Sequence, residues 1–402
     1  SIGSPEQEPT VGALSRVSVS SARILFVLQT EGMQSLPMVS AALALVQSRA
    51  VAVDEWAELY FVKSAFVPVP EWHDGPLGLS RSVRQEARVS MCWVEVRRPH
   101  ECVDHACSVA MRSVEPELIQ CGKKQMGSRL MNAPKLSSDF KDVDGAHVVT
   151  GGLGGLGVLI GRWLASQGAT SAVLVSRSGR MARSGAFEWS LLEQTLAEVQ
   201  FQCSDVADQV GAHRLVSTAG GSGIPQMRGL WHAAGVLADA VLAQQSEDRL
   251  LRVYAPKVIG ARVLQLVSAV ANLCSCVLFS SVAALLGGAG QANYSAANAC
   301  LDAHATARRA RSMVGTSVQW GAWAEVGMAA NDAVLARMYA SGFGLIGLVE
   351  GLVALQRTLQ PHGAAVVAML PVRWGRMLGG TAAAPALLSD MAPRGHLLRA
   401  SA

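Results

Sequence analysis

The stretch Ala146-His-Val-Val-Thr-Gly-Gly-Leu-Gly-Gly-Leu-Gly157 decides how this chain folds. Its first five residues form a short apolar run stopped by glycine, the pattern of a buried strand. Leu156 to Gln167 then has helical apolar spacing and ends at Gly168, and Ser171-Ala-Val-Leu-Val opens a second strand. Strand, glycine turn, helix and strand within about 30 residues make a βαβ unit of the dinucleotide-binding kind. Gly152, Gly154 and Gly157 fill the pattern G-x-G-x-x-G. That spacing permits a tight turn, close approach of backbone to a pyrophosphate, and close packing of helix on strand. Amides at the helix start then face the anion. Alone the motif says little; its place between a strand and a helix makes it informative. Thr150, Leu153, Gly155 and Leu156 complete the expected cofactor loop.

The end of the second strand discriminates between cofactors. A carboxylate there would bond the ribose 2′-hydroxyl of NAD, whereas Ser176-Arg177-Ser178 offers a guanidinium to a 2′-phosphate. NADPH is therefore expected over NADH, unless Arg177 is an ordinary solvated surface charge. Asp205-Val206, after the following strand, is placed to reach the adenine.

Further strands are read at Gly229-Leu-Trp-His, Cys276-Val-Leu-Phe-Ser and Ser317-Val-Gln-Trp, with helical patterns between them. The second half is thus a doubly wound α/β domain. In the first half, Arg23-Ile-Leu-Phe-Val-Leu and Leu59-Tyr-Phe-Val read as strands, with a helix between Val39 and Val46. This arrangement is β-α-β-like, but no glycine loop follows its first strand. Asn132 to Asp144, polar and containing Pro134, reads as a linker. The expected fold is α/β with two Rossmann-like subdomains on doubly wound parallel sheets, a degenerate structural one over 1–141 and a catalytic one over 142–402.

Composition bounds the rest. Across 402 residues half are hydrophobic, 16% are charged, and the net charge is +4 with scattered basic residues. That excludes a basic nucleic-acid stripe. Eight cysteines form neither a CxxC pair nor a Cys/His cluster of zinc spacing, so reduced thiols, no metal and a cytoplasmic setting are expected. Ser1-Ile-Gly-Ser-Pro shows no secretory signal, and the lack of an initiating Met fits a piece of a longer chain. Val263 to Leu301 carries no charge, but asparagines and glycines interrupt it. A spanning helix needs about 20 consecutive apolar residues, so a buried helix, strand, glycine loop and helix are expected instead of a membrane span.

Reducing a ketone requires hydride at carbon and a proton at oxygen. A tyrosine can give that proton if a nearby cation stabilises its phenolate, since a free phenol has a pKa of about 10. A hydroxyl should also bond the carbonyl oxygen as charge develops there. Ser280-Ser281 ends a strand, and Tyr294, one of four tyrosines, follows Ser281 by 13 residues across a glycine-rich loop. A half-buried aromatic with a satisfied hydroxyl is the bland reading of Tyr294. Asn298 lies one helical turn on, where short-chain reductases commonly carry lysine. Of six lysines only Lys257 lies beyond Lys141, so it is the sole ammonium available to this half.

At this point the chain resembles the ketoreductase domains of modular type I polyketide synthases, with related domains in animal-type fatty acid synthases. The matching stretches are Thr150–Gly157, Ser176-Arg-Ser-Gly, Trp231-His-Ala-Ala-Gly-Val-Leu-Ala-Asp-Ala, Pro256-Lys-Val-Ile-Gly-Ala, Phe279-Ser-Ser-Val-Ala, Gly290-Gln-Ala-Asn-Tyr-Ser-Ala-Ala-Asn-Ala and Gln319-Trp-Gly-Ala-Trp. Gly78-Leu-Ser-Arg-Ser-Val-Arg-Gln-Glu resembles a signature of the family's bracing subdomain, so the resemblance runs from about Ala22 to Trp374. It implies Ser281, Tyr294, Lys257 and Asn298 as the catalytic set, with the Lys and Asn positions exchanged relative to other short-chain reductases. It also implies cofactor contacts at His232, Ala233, Ala234 and Gly235.

The resemblance further implies NADPH-dependent reduction of a β-ketoacyl chain on the phosphopantetheine arm of an acyl carrier protein, alongside other synthase domains. In the D-hydroxyl subtype a Leu-Asp-Asp motif follows the His-x-Ala-Gly-Val segment; here it reads Leu237-Ala238-Asp239. The opposite subtype has tryptophan where Leu286 stands. Asp239, Leu286 and Asn293 are thus the implied stereocontrol positions, with the D-hydroxyl product expected; Asp239 could also be a solvated acid at a helix start. Arg308, Arg309 and Arg311 read either as a solvated helix face or as a dock for an acidic carrier. The rival functions are a catalytically silent structural domain of a synthase and a free-standing short-chain oxidoreductase.

Overall fold

A computed structural model of the chain describes residues 14–20, 23–28, 35–50, 58–64, 74–87, 90–96, 116–121, 124–133, 143–195, 198–219, 227–269, 271–326, 332–360, 363–379 and 384–393. Cys102, Cys107, Lys141, the N-terminal segment and much of the linker read at 132–144 lie outside these residues.

The first half builds a six-stranded sheet in the order β1 (Leu14–Ser20), β2 (Arg23–Leu28), β3 (Glu58–Ser64), β4 (Ser90–Val96), β5 (Glu117–Cys121), β6 (Lys124–Gly127). β2 to β5 are parallel, and the outer two strands pair antiparallel. The order of these described strands never reverses, so they form no switch-point crevice for a cofactor, in keeping with the missing glycine loop.

The second half builds a seven-stranded parallel sheet. Its strands are β7 (Ala146–Thr150), β8 (Ser171–Ser176), β9 (Glu198–Cys203), β10 (Met227–His232), β11 (Ser275–Ser281), β12 (Thr316–Trp320) and β13 (Val366–Met369). In space they run β13-β12-β11-β10-β7-β8-β9. Order reverses between β7 and β10, where Thr150 pairs with His232 and the crevice of a doubly wound sheet opens at the strands' C-terminal ends. β7 and β12 are buried along their whole length, as continuous apolar runs require when both faces are covered. One face packs on Val149, Leu159, Leu174, Trp231 and Trp320, the other on Val148, Val173, Leu230, Leu278 and Leu301.

A third core joins the halves. Met38, Val39, Leu79 and Val83 from the first pack with Leu250, Tyr254, Ala296 and Cys300 from the second. The contact is close because Gly78 lies flat against the Ala292–Ala310 helix: a Cβ there would sit 2.3 Å from the Ser295 carbonyl oxygen. The bracing helix, Gly75–Glu86, therefore lies directly on the helix that carries Tyr294.

The six cysteines among the described residues are free thiols, and no group of metal-ligating residues occurs among them. No described helix is long and apolar enough to cross a membrane. The charge-free run from 263 to 301 resolves into a helix end, β11, a short helix, a glycine turn and a buried helix, as its interruptions suggested. One expectation is corrected. Arg308 is buried, its Nε donating to the Val314 carbonyl and its Nη1 to Gln265, so it fastens the end of its own helix and is not open to a carrier.

Candidate active site

The glycine loop caps β7. Gly151 has φ +68°, and a Cβ on it would press the Ala233 carbonyl oxygen at 2.9 Å. A Cβ on Gly157 would meet the Gly151 carbonyl oxygen at 2.3 Å, so the Gly155–Ser166 helix can close on the turn only with glycine here. This helix has no side-chain cap, which leaves its first amides for a ligand. An uncapped, charge-free cradle at the switch point fits a dinucleotide pyrophosphate. At the end of β8 the Arg177 side chain is exposed and has no ion-pair partner among the described residues, while Ser176 and Ser178 hydroxyls lie 3.4 Å apart. Asp205 Oδ1 accepts from the Ala207 amide at 2.9 Å, fixing the turn after β9, and Val206 is buried against Gly260.

His232, expected among the cofactor contacts, turns its ring inward. Its ring is fully buried and its pKa falls to about 4, because burial disfavours the imidazolium. Nε2 donates to the Lys257 carbonyl at 2.9 Å, so Nδ1 accepts from the Thr150 hydroxyl at 2.8 Å. Both ring nitrogens thus tie β7 and β10 to the turn bearing Lys257. Ala234 follows with its amide 3.4 Å from the same threonine oxygen, and Ala233 and Gly235 line the half-exposed segment beyond.

Lys257 lies inside a continuous helical run. Glu247–Tyr254 and Gly260–Val267 are joined by a wide π turn over Ala255–Ile259, a distortion frequent at functional sites. The turn points Lys257 inward, where 3% of it remains exposed. Its Nζ donates to the Phe279 carbonyl at 2.9 Å and stands 5.1 Å from the centre of the Tyr294 ring. Burial pulls its pKa down to about 7, with Asp302 opposing. The same burial pushes the Tyr294 phenol up to about 12, while contacts with Asn298 and Ser281 pull the other way.

Ser281 ends β11 and caps the short Val282–Leu286 helix, its hydroxyl accepting from the Ala283 amide at 3.2 Å. Its neighbour Ser280 points to the opposite side of the strand and donates to the Asn298 carbonyl at 3.3 Å. Asn298 is fully buried; its Nδ2 donates to the Tyr294 carbonyl at 2.8 Å, and its Oδ1 has no protein partner. A buried open acceptor is a place for a water or a ligand hydroxyl.

Among the expected stereocontrol positions, Asn293 is wholly engaged inside the protein. It donates to the Ala238 and Arg249 carbonyls and accepts from the Tyr294 amide at 2.8 Å, so it moors the Asp239 loop to the tyrosine helix. Asp239 is exposed, on an irregular loop instead of a helix start, and accepts from Gln291 at 3.1 Å. Leu286 is half-buried at the end of the short helix. Sequence reasoning missed Asp302, one turn beyond Asn298, which accepts from Ser317 at 2.6 Å and Gln319 at 2.7 Å. It also missed Glu86 and Ser82, although both stand in the Gly78–Glu86 signature.

Comparison with known proteins agrees with this geometry. The KR domain family matches residues 145–325. Polyketide synthase GfsA of Streptomyces halstedii is 38% identical over 259 residues, which is 64% of this chain and 3% of the synthase. The phthioceranic/hydroxyphthioceranic acid synthase of Mycobacterium tuberculosis (strain ATCC 25618 / H37Rv) is 36% identical over 252 residues, 62% of this chain and 12% of that protein. The chain thus spans a small part of the curated relatives it matches. Among solved structures, an A-type ketoreductase from a modular polyketide synthase superposes with a TM-score of 0.78 at 30% identity, covering 87% of this chain and 77% of that one. The first ketoreductase of the tylosin synthase gives 0.77 at 28%, covering 92% and 82%. With the doubly wound sheet, the glycine cradle and a tyrosine under a buried lysine all in one chain, and a 30% identical relative covered over three quarters of its length, this chain belongs to the ketoreductases of modular polyketide synthases.

Proposed function

We propose that this chain reduces the β-keto group of an acyl thioester held on the phosphopantetheine arm of an acyl carrier protein, using NADPH and working among other domains of a synthase. The observation that carries the reading is Lys257 Nζ, buried and 5.1 Å from the centre of the Tyr294 ring. Bound NADPH would supply the hydride to the carbonyl carbon. The chain's own residues would handle the oxygen. Ser281 Oγ donates a hydrogen bond to it, holding the ketone in line and stabilising the negative charge that develops. The Tyr294 O–H bond breaks as its proton passes to that oxygen, which becomes the product hydroxyl. The resulting phenolate lies beside the Lys257 ammonium, whose attraction offsets the burial that otherwise holds the phenol at about 12. Asn298 Oδ1 supplies an acceptor through which a water could return the proton.

Arg177, exposed at the end of β8, supports NADPH over NADH, and Thr150, Gly152, Leu153, Gly154, Gly155, Leu156 and Gly157 form the pyrophosphate cradle. The polar linker read at Asn132 to Asp144 would divide the chain into a bracing part over 1–141 and a reducing part over 142–402. Asp239, together with the absence of tryptophan at Leu286, favours the D-hydroxyl product; solved relatives include both A-type and C2-type ketoreductases, so the subtype rests on these residues. The test is NADPH oxidation with a diketide thioester, followed by chiral analysis. Turnover with a mainly D product is expected. Cofactor binding without turnover would make the domain a silent scaffold, and a mainly L product would overturn the handedness.

A further inference from the structure

The Gly75–Glu86 helix adds no group to the Tyr294 cluster, yet its last turn reaches both loops beside it. The Glu86 carboxylate is divided between them: Oε2 accepts from the Leu242 amide at 2.8 Å and Oε1 from the Gly290 amide at 2.7 Å. One loop, residues 233–242, carries Asp239. The other, residues 286–291, runs from the short helix capped by Ser281 to the helix of Tyr294. The loops also touch each other, Ala240 donating to the Gly290 carbonyl at 2.9 Å and Gln291 to Asp239 at 3.1 Å. Two more ties come from the bracing half: the Gly288 amide donates to Ser82 Oγ at 3.2 Å, and Gln47 donates to the Leu242 carbonyl at 2.8 Å. Residues 233–241 have no regular structure, and Gly287 and Gly290 turn with φ +77° and +79°. From the reducing half the loops gain the Gln291 amide on the Gly288 carbonyl at 3.0 Å and Gln245 Nε2 on the Ala240 carbonyl at 2.8 Å, so Glu86 supplies their backbone amides with the charged acceptor among neutral ones. Amides bonded to a carboxylate are held about twice as strongly as amides bonded to a neutral acceptor.

We propose that Glu86 is a positioning residue for the ketone: by holding the Leu242 and Gly290 amides at a fixed separation, it sets the spacing of the two loops and hence the face that a bound ketone presents. This rests on the reductase reading above. Both amide bonds need a two-oxygen acceptor of this length, so Glu86→Ala removes both and Glu86→Gln keeps one.

The experiment measures kcat, KM, product handedness, NADPH affinity and Tm for the wild type and both variants on a diketide thioester. Glu86→Ala is expected to raise KM about tenfold or more and to enlarge the minor stereoisomer, with NADPH affinity changed by less than about threefold. Glu86→Gln should fall between Glu86→Ala and the wild type. A purely structural residue would lower Tm and the active fraction while leaving KM and handedness as they were; that result overturns the proposal. Wild-type inactivity sinks the reductase reading along with it, whereas active wild type with unaltered variants sinks the Glu86 proposal alone. If the variants fail to fold, amide hydrogen exchange in the wild type decides. Leu242 and Gly290 should exchange about 100-fold more slowly than free peptide, and free-peptide rates overturn the proposal.

Discussion

Replacing Lys257 by methionine removes the ammonium while nearly keeping the side chain's length and volume. With the charge 5.1 Å from the ring over which the phenolate is delocalised, an effective dielectric of about 20 gives about 3 kcal/mol of attraction. Losing that from the proton-transfer step lowers kcat by about two orders of magnitude. The fold should survive, because the substitution ends the burial of a charge and leaves only the Phe279 carbonyl without its donor. The pH profile gives an independent reading. Only the protonated lysine assists, and burial has brought its pKa down to about 7. As pH rises through that value the proton leaves, so wild-type kcat/KM should fall on the alkaline side. Lys257→Met should show no such limb. The assay is NADPH oxidation on a diketide thioester across pH 5.5 to 9 at about half-unit steps, with Tm as the control for folding. A variant within about threefold of wild type, with the alkaline limb intact, would refute the assignment of Lys257.

Tyr294→Phe keeps the ring under Lys257 but removes the transferable proton, and should cost about 10²- to 10⁴-fold in kcat with cofactor affinity retained; near-normal turnover would remove Tyr294 from the chemistry. Arg177→Ala should raise KM for NADPH about tenfold or more while leaving NADH within about twofold, as comparative kinetics with the two cofactors would show. Gly157→Ala places a methyl 2.3 Å from the Gly151 carbonyl oxygen, so NADPH binding by fluorescence titration should be lost or greatly weakened. Gly78→Leu drives a side chain into Ser295 and Ala299 and should lower stability by about 1–3 kcal/mol, with activity falling alongside; an unchanged Tm would mean the two helices are not packed as described.

The catalytic half was legible because its signals are local. A strand, a glycine cradle and a helix follow one another within a few tens of residues, and the helix expected over Leu156–Gln167 is found at Gly155–Ser166. Lys257 was found by elimination, not by pattern. Its π turn has no sequence signature, since wide turns arise from packing on what surrounds them. The edges of the first sheet escaped notice for another reason. β1 (Leu-Ser-Arg-Val-Ser-Val-Ser) and β6 (Lys-Gln-Met-Gly) are short and polar, and pairing with a neighbour makes them strands. The inward ring of His232 and the inward turn of Arg308 were equally invisible, because both depend on carbonyls distant in sequence or exposed by a chain reversal. Glu86 was quoted as part of a signature, yet its partners lie more than 150 positions along the chain, and no spacing rule reaches that far.

The apolar contact between Met38, Val39, Leu79 and Val83 on one side and Leu250, Tyr254, Ala296 and Cys300 on the other bears on how such a reductase can be recombined. A graft that cuts at the polar linker and borrows the bracing half from another synthase would pair two surfaces never selected for each other. Misfit there would be transmitted straight to the tyrosine helix and would show as poor turnover in a chimera whose chemistry is intact. The natural unit of exchange is both halves together, with junctions outside them.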